Sequence, residues 1–167
     1  MAYTPKTIVK GDDLMLFRAV TTGTGSSATT TYKSLAYATS HVLTINGETS
    51  DVSSKDHGVY GSSSVNKITW EITSENLYTS EDYDVLFDAM IARTPITVCW
   101  GTHTEDSSTG TVADGDYECW TADITSGAYK GNVLITSLVA NANSGEDATY
   151  SVTLTGTGKI AKVTSND

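Results

Sequence analysis

Few residues of this chain could carry site chemistry, since it has two cysteines and three histidines. His41, His57 and His103 lie far apart, and none has the short spacing to a second His, Cys or carboxylate that marks a zinc site. The segment 51–57 holds two carboxylates and two serines, but it lacks the ligand register and terminal Glu of a helix-flanked calcium loop. No G-x-S-x-G motif presents a nucleophile, so a hydrolase would have to recruit dispersed residues. The sequence therefore predicts no catalytic, cofactor-binding or metal-binding residues, and we expect no enzyme.

The dipeptide Cys-Trp occurs twice, at residues 99–100 and 119–120. A hairpin centred near Thr109–Gly110 would set Cys99 and Cys119 opposite each other on adjacent strands, which makes a disulfide conceivable. Two free thiols packed as small apolar side chains are the commoner outcome in a reducing compartment.

Charge and composition exclude several partners. The net charge is −10 and the pI is near 4.5, and no cluster of Lys and Arg offers a site for phosphate backbones. No apolar run approaches the roughly 20 residues that span a bilayer, and the start of the chain lacks the apolar core of a signal peptide. We therefore expect one domain over residues 1–167 with a flexible N-terminal arm over about 1–13, made in the cytoplasm, with no membrane partner.

One segment has the period of a helix. Between residues 81 and 92 apolar side chains recur at three and four residues, with Ser80 as the expected N-cap and Pro95 beyond the end. We expect this apolar stripe to pack on the core, and it consists of Tyr83, Leu86, Phe87, Met90 and Ile91.

The flanking segments have the period of strands. Alternation places three sets of apolar residues on inward faces, namely Ile68, Trp70 and Ile72, then Ile96, Val98 and Trp100, and finally Tyr150, Val152 and Leu154. With the abundance of Thr, this pattern predicts a mainly β fold. The expected architecture is a β-sandwich or partly closed barrel with one flanking α-helix at about residues 81–92.

Two long polar segments interrupt the strands. Asn46-Gly47 predicts a turn, after which Glu48–Asn66 is longer than a tight connection requires, and Thr102–Asp116 is an acidic loop. Because the first of these offers little apolar area to the fold, we expect it to contact a neighbouring subunit. The residues expected to form this assembly loop are Asp51, Ser53, Ser54, Lys55, Asp56, His57 and Gly58.

The order and spacing of these patterns resemble one known family. The segments that carry the resemblance are Lys10–Met15, Ala36–His41, Ser53–Asp56, Ile68–Ile72, Tyr83–Met90 and Gly145–Gly158. Together they are similar to the major tail tube proteins of long-tailed bacteriophages, over almost the whole chain.

The resemblance implies a structural virion protein whose subunits form stacked, hexameric rings. The resulting tail tube would conduct DNA into the host without binding it specifically. Its other partners would be the tape measure, tail terminator and distal tail proteins. The protein would lie in the virion tail, after synthesis in the host bacterial cytoplasm, and the family has no cofactor or catalytic residue to carry over.

A second hypothesis comes from a different class of protein. A carbohydrate-binding β-sandwich would need a platform of exposed aromatic rings, which could be formed by Trp100, Tyr117, Trp120 and Tyr129. The inward position of Trp100 on its strand argues for core packing of that ring instead.

Overall fold

The computed structural model describes residues 6–35, 37–106 and 119–163. Within these ranges the chain forms eight strands, one α-helix and short 3-10 turns at Gly11–Asp13, Gly25–Ser27 and Lys55–His57. In chain order the elements are β1 (Leu14–Thr22), β2 (Thr29–Ser34), β3 (Ala38–Asp51), β4 (Ser63–Leu77), α1 (Ser80–Ala92), β5 (Ile96–Glu105), β6 (Trp120–Ala122), β7 (Ala128–Asn141) and β8 (Thr149–Val163). The predicted mainly β class with one helix is confirmed. The Thr109–Gly110 turn and most of the predicted acidic loop lie outside the described residues.

The strands form an antiparallel sheet in the order β2-β1-β5-β7-β8-β4-β3, with β6 paired to β5. The long strands β7 and β8 belong to two parts of this sheet. The first part contains β2, β1, β5 and the start of β7, and the second part contains the end of β7 with β8, β4 and β3. β5 pairs with residues 129–133 of β7, whereas β4 pairs with residues 149–155 of β8. The sheet is therefore open, sandwich-like and not closed into a barrel.

The main hydrophobic cluster includes residues from both parts of the sheet and from α1. Trp70 of β4 lies against Gly131 of β7 and Gly156 of β8, where the absence of a Cβ makes room for the indole ring. The indole nitrogen also donates a hydrogen bond of 3.1 Å to the carbonyl of Gly158. The fully buried members of this cluster are Leu16, Leu35, Ile72, Leu86, Val98, Val133, Tyr150, Val152 and Leu154.

A second cluster packs on the opposite face of β1 and β5. Leu16 belongs to the main cluster while the adjacent Phe17 belongs to the second, because successive strand residues point to opposite faces. Cys99 belongs to the second cluster, where burial raises its pKa to about 11. Cys99 lies between Phe17 of β1 and Lys130 of β7, so the expected placement opposite Cys119 is wrong. Both cysteines are buried and no disulfide joins them, as the preferred interpretation of two thiols predicted.

The helix confirms the predicted segment but not all of its predicted face. Leu86 is fully buried, and Tyr83 and Met90 pack against the main cluster, whereas Phe87 is 47% and Ile91 66% exposed. The prediction that Phe87 and Ile91 belong to the core is wrong in the subunit. Each helical residue turns by about 100°, so a helix that points Leu86 at the sheet directs these two side chains away from it.

The ends of the helix are set by the backbone. Thr79, and not the predicted Ser80, is the N-cap residue, and its hydroxyl donates to the carboxylate of Asp82 at 3.0 Å. At the other end Arg93 adopts a left-handed conformation with φ of 56°, two residues before Pro95.

Strand β3 differs most from the prediction. It continues through Asn46-Gly47 to Asp51 because β4 pairs with it over that length, so the predicted turn is wrong. Most of Glu48–Asn66 therefore belongs to a long hairpin, and residues 52–62 connect its strands. Ile68 lies on the same face as Trp70 but beyond the core, so its predicted burial is also wrong.

Candidate assembly surfaces

The hairpin of β3 and β4 projects beyond the rest of the sheet. β4 pairs with β8 between Glu71 and Leu77, whereas its residues Ser63–Trp70 have β3 as their only strand neighbour among the described residues. We call this two-stranded extension, residues 45–70, the arm. An isolated two-stranded hairpin is marginally stable in water, so the arm has surface available for another contact.

The tip of the arm is held by its own hydrogen bonds. Val52 donates its N–H to the Ser62 carbonyl at 2.8 Å, and Ser62 donates to the Ser53 hydroxyl at 2.7 Å. Beyond them, the N–H of Ser54 donates to the ring of His57 at 2.9 Å. The structure thus brings together the exposed residues 51–58 predicted to form an assembly loop, but as an ordered turn.

A carboxylate at the base of this tip accepts a backbone hydrogen bond. The N–H of Ser53 donates to the Asp51 carboxylate at 2.8 Å. Hydrogen bonds from Ser53 lower the pKa of Asp51, because they stabilise the ionised form. The tip therefore presents a negative charge in a defined position.

One face of the arm carries an apolar row that the sequence patterns did not reveal. Ile45 pairs with Trp70 and Gly47 with Ile68, so these positions continue the core-facing side of the hairpin. Val65 lies on the same side, since a Cβ at Gly47 would lie 3.2 Å from its side chain. Ile45, Val65 and Ile68 are 51%, 60% and 65% exposed. We call these three side chains the arm row.

Two strand edges, those of β3 and of the last part of β7, lack a second strand partner among the described residues. β3 ends the strand order and is paired on one side only, with β4, in the part of the chain that the structure describes. The last part of β7, residues 134–141, pairs with β8 but lies beyond the described pairing with β5, which ends at Val133. Unpaired strand edges present N–H and C=O groups that another chain can bind.

The outer face between these edges is mostly polar, and Val42, Leu134 and Val139 are among its partly exposed apolar side chains. Cross-strand partners form one row of Thr44, Glu71, Thr155 and Leu134, and another of Ser40, Glu75, Ser151 and Val139. Hydroxyl groups bond across this face, with Thr136 and Thr155 oxygens 2.9 Å apart. None of the residues 38–46, 71–77, 134–141 and 149–155 is Lys or Arg.

A buried polar network lies beneath this face. The ring of His41 is 3.0 Å from the hydroxyl of Ser74, which donates to Asn76 at 2.9 Å. Burial lowers the pKa of His41 to about 4, so the ring is neutral near pH 7. Ser74 is 1% exposed, so this Ser-His pair is not presented to a substrate.

Beside the helix, a carboxylate and a guanidinium share a partly open space. Arg18 and Asp82 lie 4.0 Å apart at one wall of a cavity of about 480 Å³ that also contacts Lys33 and Glu81. The nearby Tyr150 hydroxyl is buried, and burial raises its pKa well above the usual value. Because carboxylates line the cavity beside the cations, its field does not favour an anion.

The aromatic rings of the sugar-binding hypothesis do not share one exposed platform within the described residues. Trp100 packs against the main cluster and edge-on to His41, whereas Trp120 packs in the second cluster and against His103. Tyr129 is exposed, and Tyr117 lies outside the described residues.

Two further features bear on partners. Over residues 6–35, 37–106 and 119–163, no helix has the length and apolar character needed to cross a membrane. In the same ranges no group of three His, Cys, Asp or Glu side chains is arranged to hold a metal ion. The prominent features of the described chain are a projecting arm and strand edges without a second strand partner.

The chain belongs to the phage tail tube protein family, whose model matches residues 8–162. No curated protein matches the sequence significantly. Among solved structures, the chain is similar to the tail of an empty gene transfer agent particle determined with C6 symmetry, with 14% identity, a TM-score of 0.65, and 92% of this chain and 98% of that chain covered.

Two other solved structures have the same fold. The SPP1 tail tube matches with 11% identity and a TM-score of 0.63, covering 96% of this chain and 81% of that one. The baseplate of the anti-feeding prophage matches with 10% identity and a TM-score of 0.54, covering 98% of both chains. At these identities the likeness shows the fold, and the family places this chain among tail tube subunits.

Proposed function

We propose that copies of this chain close into a ring and that the rings stack into the tail tube of a phage particle, through which DNA passes. One observation carries the proposal: among the described residues, a four-strand part of the sheet ends in two strands that lack a second strand partner, β3 and residues 134–141 of β7. A heterologous contact between different edges of successive copies closes into a ring when the rotation permits.

The strand directions suit this contact. The strands β3, β4, β8 and β7 alternate in direction, because every neighbouring pair is antiparallel. With an even number of alternating strands, the two outer ones run in opposite directions. β3 of one copy can therefore pair antiparallel with β7 of the next, and the same contact repeats around the ring. Six copies is the proposed number, supported by the C6 symmetry of the gene transfer agent tail.

The polar outer face is the proposed lining of the tube. Its Thr and Ser hydroxyls stay hydrated, and Glu71 and Glu75 add negative charge with no basic residue among the strands around them. A polyanion is repelled by such a face and meets no phosphate-binding cation on it. DNA would thus pass without specific binding.

The arm is the proposed contact between successive rings. Glu48 and Lys67 are register partners in β3 and β4, so a two-residue Asn-Gly turn placed between them would replace residues 49–66 without changing the pairing below. The shortened variant should keep the melting temperature of the parent, because the deleted residues lie outside the hydrophobic clusters. It should form no tubes under the electron microscope.

Sedimentation of the parent at rising concentration tests the proposal as a whole. We expect rings or tubes to appear, with their amount set by mass action. A parent that stays monomeric at every concentration contradicts the proposed function, and a shortened variant that still builds normal tubes contradicts the role of the arm.

The remaining partners follow from the same role. A tube has two ends, and we propose that tail terminator and distal tail proteins meet these ends while a tape measure protein occupies the interior during assembly. The chain would lie in the host bacterial cytoplasm before assembly and in the virion tail afterwards. The role is structural and uses no catalytic residue. Pull-down of each partner with assembled tubes, compared with unassembled subunits, tests these contacts.

A further inference from the structure

The exposed apolar side chains of the outer face are concentrated on its two edge strands. Val42 on β3 is 51% exposed, and Val139 and Leu134 on β7 are 46% and 36% exposed. The inner strands β4 and β8 direct only Glu, Thr and Ser side chains to this face over residues 71–75 and 151–155. Apolar groups therefore line both strands that lack a second strand partner among the described residues.

The two edges are also similar in length and uncharged. Regular pairing of β3 with β4 resumes at Ser40, after a register shift that begins at Ala38. The edge of β7 beyond its pairing with β5 runs from residue 134 to residue 141, where the strand ends. None of the residues 40–46 and 134–141 is Asp, Glu, Lys or Arg. Two copies of net charge −10 can therefore meet at these edges without placing charges against each other.

We propose that Val42 of one copy lies directly opposite Val139 of the next copy in the ring. This inference rests on the proposed function and adds the register of the strand contact. Directly opposite residues on antiparallel strands have Cβ atoms about 4.5–5.5 Å apart, so each valine covers the other. The two edges thus lose exposed apolar area in the same contact that pairs their backbones.

The ends of the two edges coincide in this register. Ser40, where regular pairing of β3 resumes, lies opposite Asn141, the last residue of β7. Between residues 135 and 137, β7 shifts by one residue in its pairing with β8, and the same shift brings Asn46 opposite Leu134. The contact therefore uses the whole edge of residues 134–141.

The register also matches apolar side chains on the core-facing side. Leu43 lies opposite Leu138, and each packs against the main cluster of its own copy. Ile45 of the arm row, which is 51% exposed in the subunit, lies opposite Ile135. The main clusters of neighbouring copies would then be continuous across the contact, and Ile45 would be covered.

This register gives each copy a stagger. Within one copy, cross-strand partners lead from Val42 through Thr73 and Thr153 to Ser137 of β7. In the proposed register Ser137 lies opposite Thr44 of a neighbouring copy, two residues beyond Val42. Strands that close into a barrel need a stagger of this kind, because it tilts them relative to the axis.

Other registers match the two edges less well. A shift of one residue turns the side chains of one strand to the opposite face. A shift of two residues sets Val42 against Ser137 or Asn141, both of which are polar. Pairing Val42 with Leu134 would carry residues 43–46 past Val133, whose edge is already paired with β5.

Disulfide trapping tests the register directly. The double variant Val42→Cys/Val139→Cys is assembled and treated with copper phenanthroline. Within one chain the two positions lie three strands apart, at least about 14 Å at roughly 4.8 Å per strand, so a disulfide between them joins different copies. The native Cys99 and Cys119 are buried, and the oxidised parent gives their background. The matched control is Val42→Cys/Leu134→Cys, whose second position lies on the same edge and is also partly exposed.

In tubes we expect about tenfold more covalent oligomer from the 42–139 variant than from the 42–134 variant, because directly opposite positions have the higher effective concentration. The oligomers should extend up to the number of copies in one ring. Unassembled variants should give neither product. Tubes that join positions 42 and 134 as readily as 42 and 139 overturn this inference and leave the proposed function intact. A parent that forms no tubes at any concentration removes both.

An exchange of charge gives an independent readout. Val42→Lys should raise the concentration needed for tubes several-fold, because it sets a charge against an apolar side chain. Val139→Glu in the same chain should restore assembly, whereas Leu134→Glu should not. Circular dichroism checks that each variant melts as the parent does, as expected for partly exposed positions. Failure of Val139→Glu to restore assembly, or equal restoration by Leu134→Glu, contradicts the register.

Discussion

Two adjacent residues of α1 should respond in opposite ways to truncation. Leu86 is fully buried in the main cluster, so Leu86→Ala removes packed atoms and leaves a cavity. Changes of this kind cost about 2–5 kcal/mol of the free energy of unfolding. For a domain of this size each kcal/mol lowers the melting temperature by about 2–4 °C, so a loss near 3 kcal/mol corresponds to roughly 6–12 °C.

Phe87→Ala should cost far less. Nearly half of this side chain is already exposed, and truncation there opens no closed cavity. At about 25 cal/mol per Å² of apolar area, the loss amounts to about 1 kcal/mol, a shift of roughly 2–4 °C. The spacing of apolar residues alone predicts a core position for Phe87 and a cost of about 3–5 kcal/mol, so the two interpretations differ measurably.

Thermal unfolding followed by circular dichroism distinguishes the buried from the exposed position of Phe87. The measurement is made at concentrations where the subunits do not associate. If Phe87→Ala lowers the melting temperature as much as Leu86→Ala does, the helix is rotated relative to the face described above.

Three other predictions concern the glycine contact, the buried histidine and the polar face. Gly156→Ala should cost about 1–3 kcal/mol or more, because its Cβ would overlap the Trp70 ring, whereas Gly11→Ala, which meets open space, should leave unfolding in urea unchanged. The pKa of His41 is about 4 in the fold and about 6.5 in the unfolded chain, so the unfolded chain binds more protons between these pH values. The free energy of unfolding should therefore fall as the pH drops from 6.5 towards 4. Urea titrations at several pH values should show this dependence in the parent and its loss in His41→Gln. Glu75→Lys should make tubes bind DNA in a salt-dependent manner by fluorescence anisotropy, while Glu81→Lys on α1 should not; equal binding by both variants would contradict the assignment of the lining.

Local patterns predicted the elements well because they depend on near neighbours. The alternation of Tyr150, Val152 and Leu154 indicated both the strand and its buried face. The helix was likewise predicted from its period to within one residue of its start. The orientation of the helix was not predicted correctly. Asp82 faces inward and is buried beside Arg18 and Thr79, whereas a prediction from hydropathy places a carboxylate on the exposed face.

Features that depend on distant pairing were missed. Ile68 has the alternation of a core residue, yet it is exposed because β8 stops pairing with β4 at Glu71. The prediction of a turn at Asn46-Gly47 was wrong for the same reason, because pairing with β4 overrides the local preference of Asn-Gly for a turn. The arm row and the open edge of β7 follow from these registers, which short sequence windows do not contain.

The charge of the chain restricts how copies can attract one another. With a net charge of −10, subunits repel at long range, so the surfaces that join them must rely on groups that carry no net charge. The unpaired edges of β3 and β7 offer backbone hydrogen bonds, and the arm row offers apolar area. Backbone edges also select direction, because an antiparallel contact forms in one relative orientation. The carboxylates Glu71 and Glu75 then lie on the proposed lumen face, where they repel DNA without opposing the contacts between subunits.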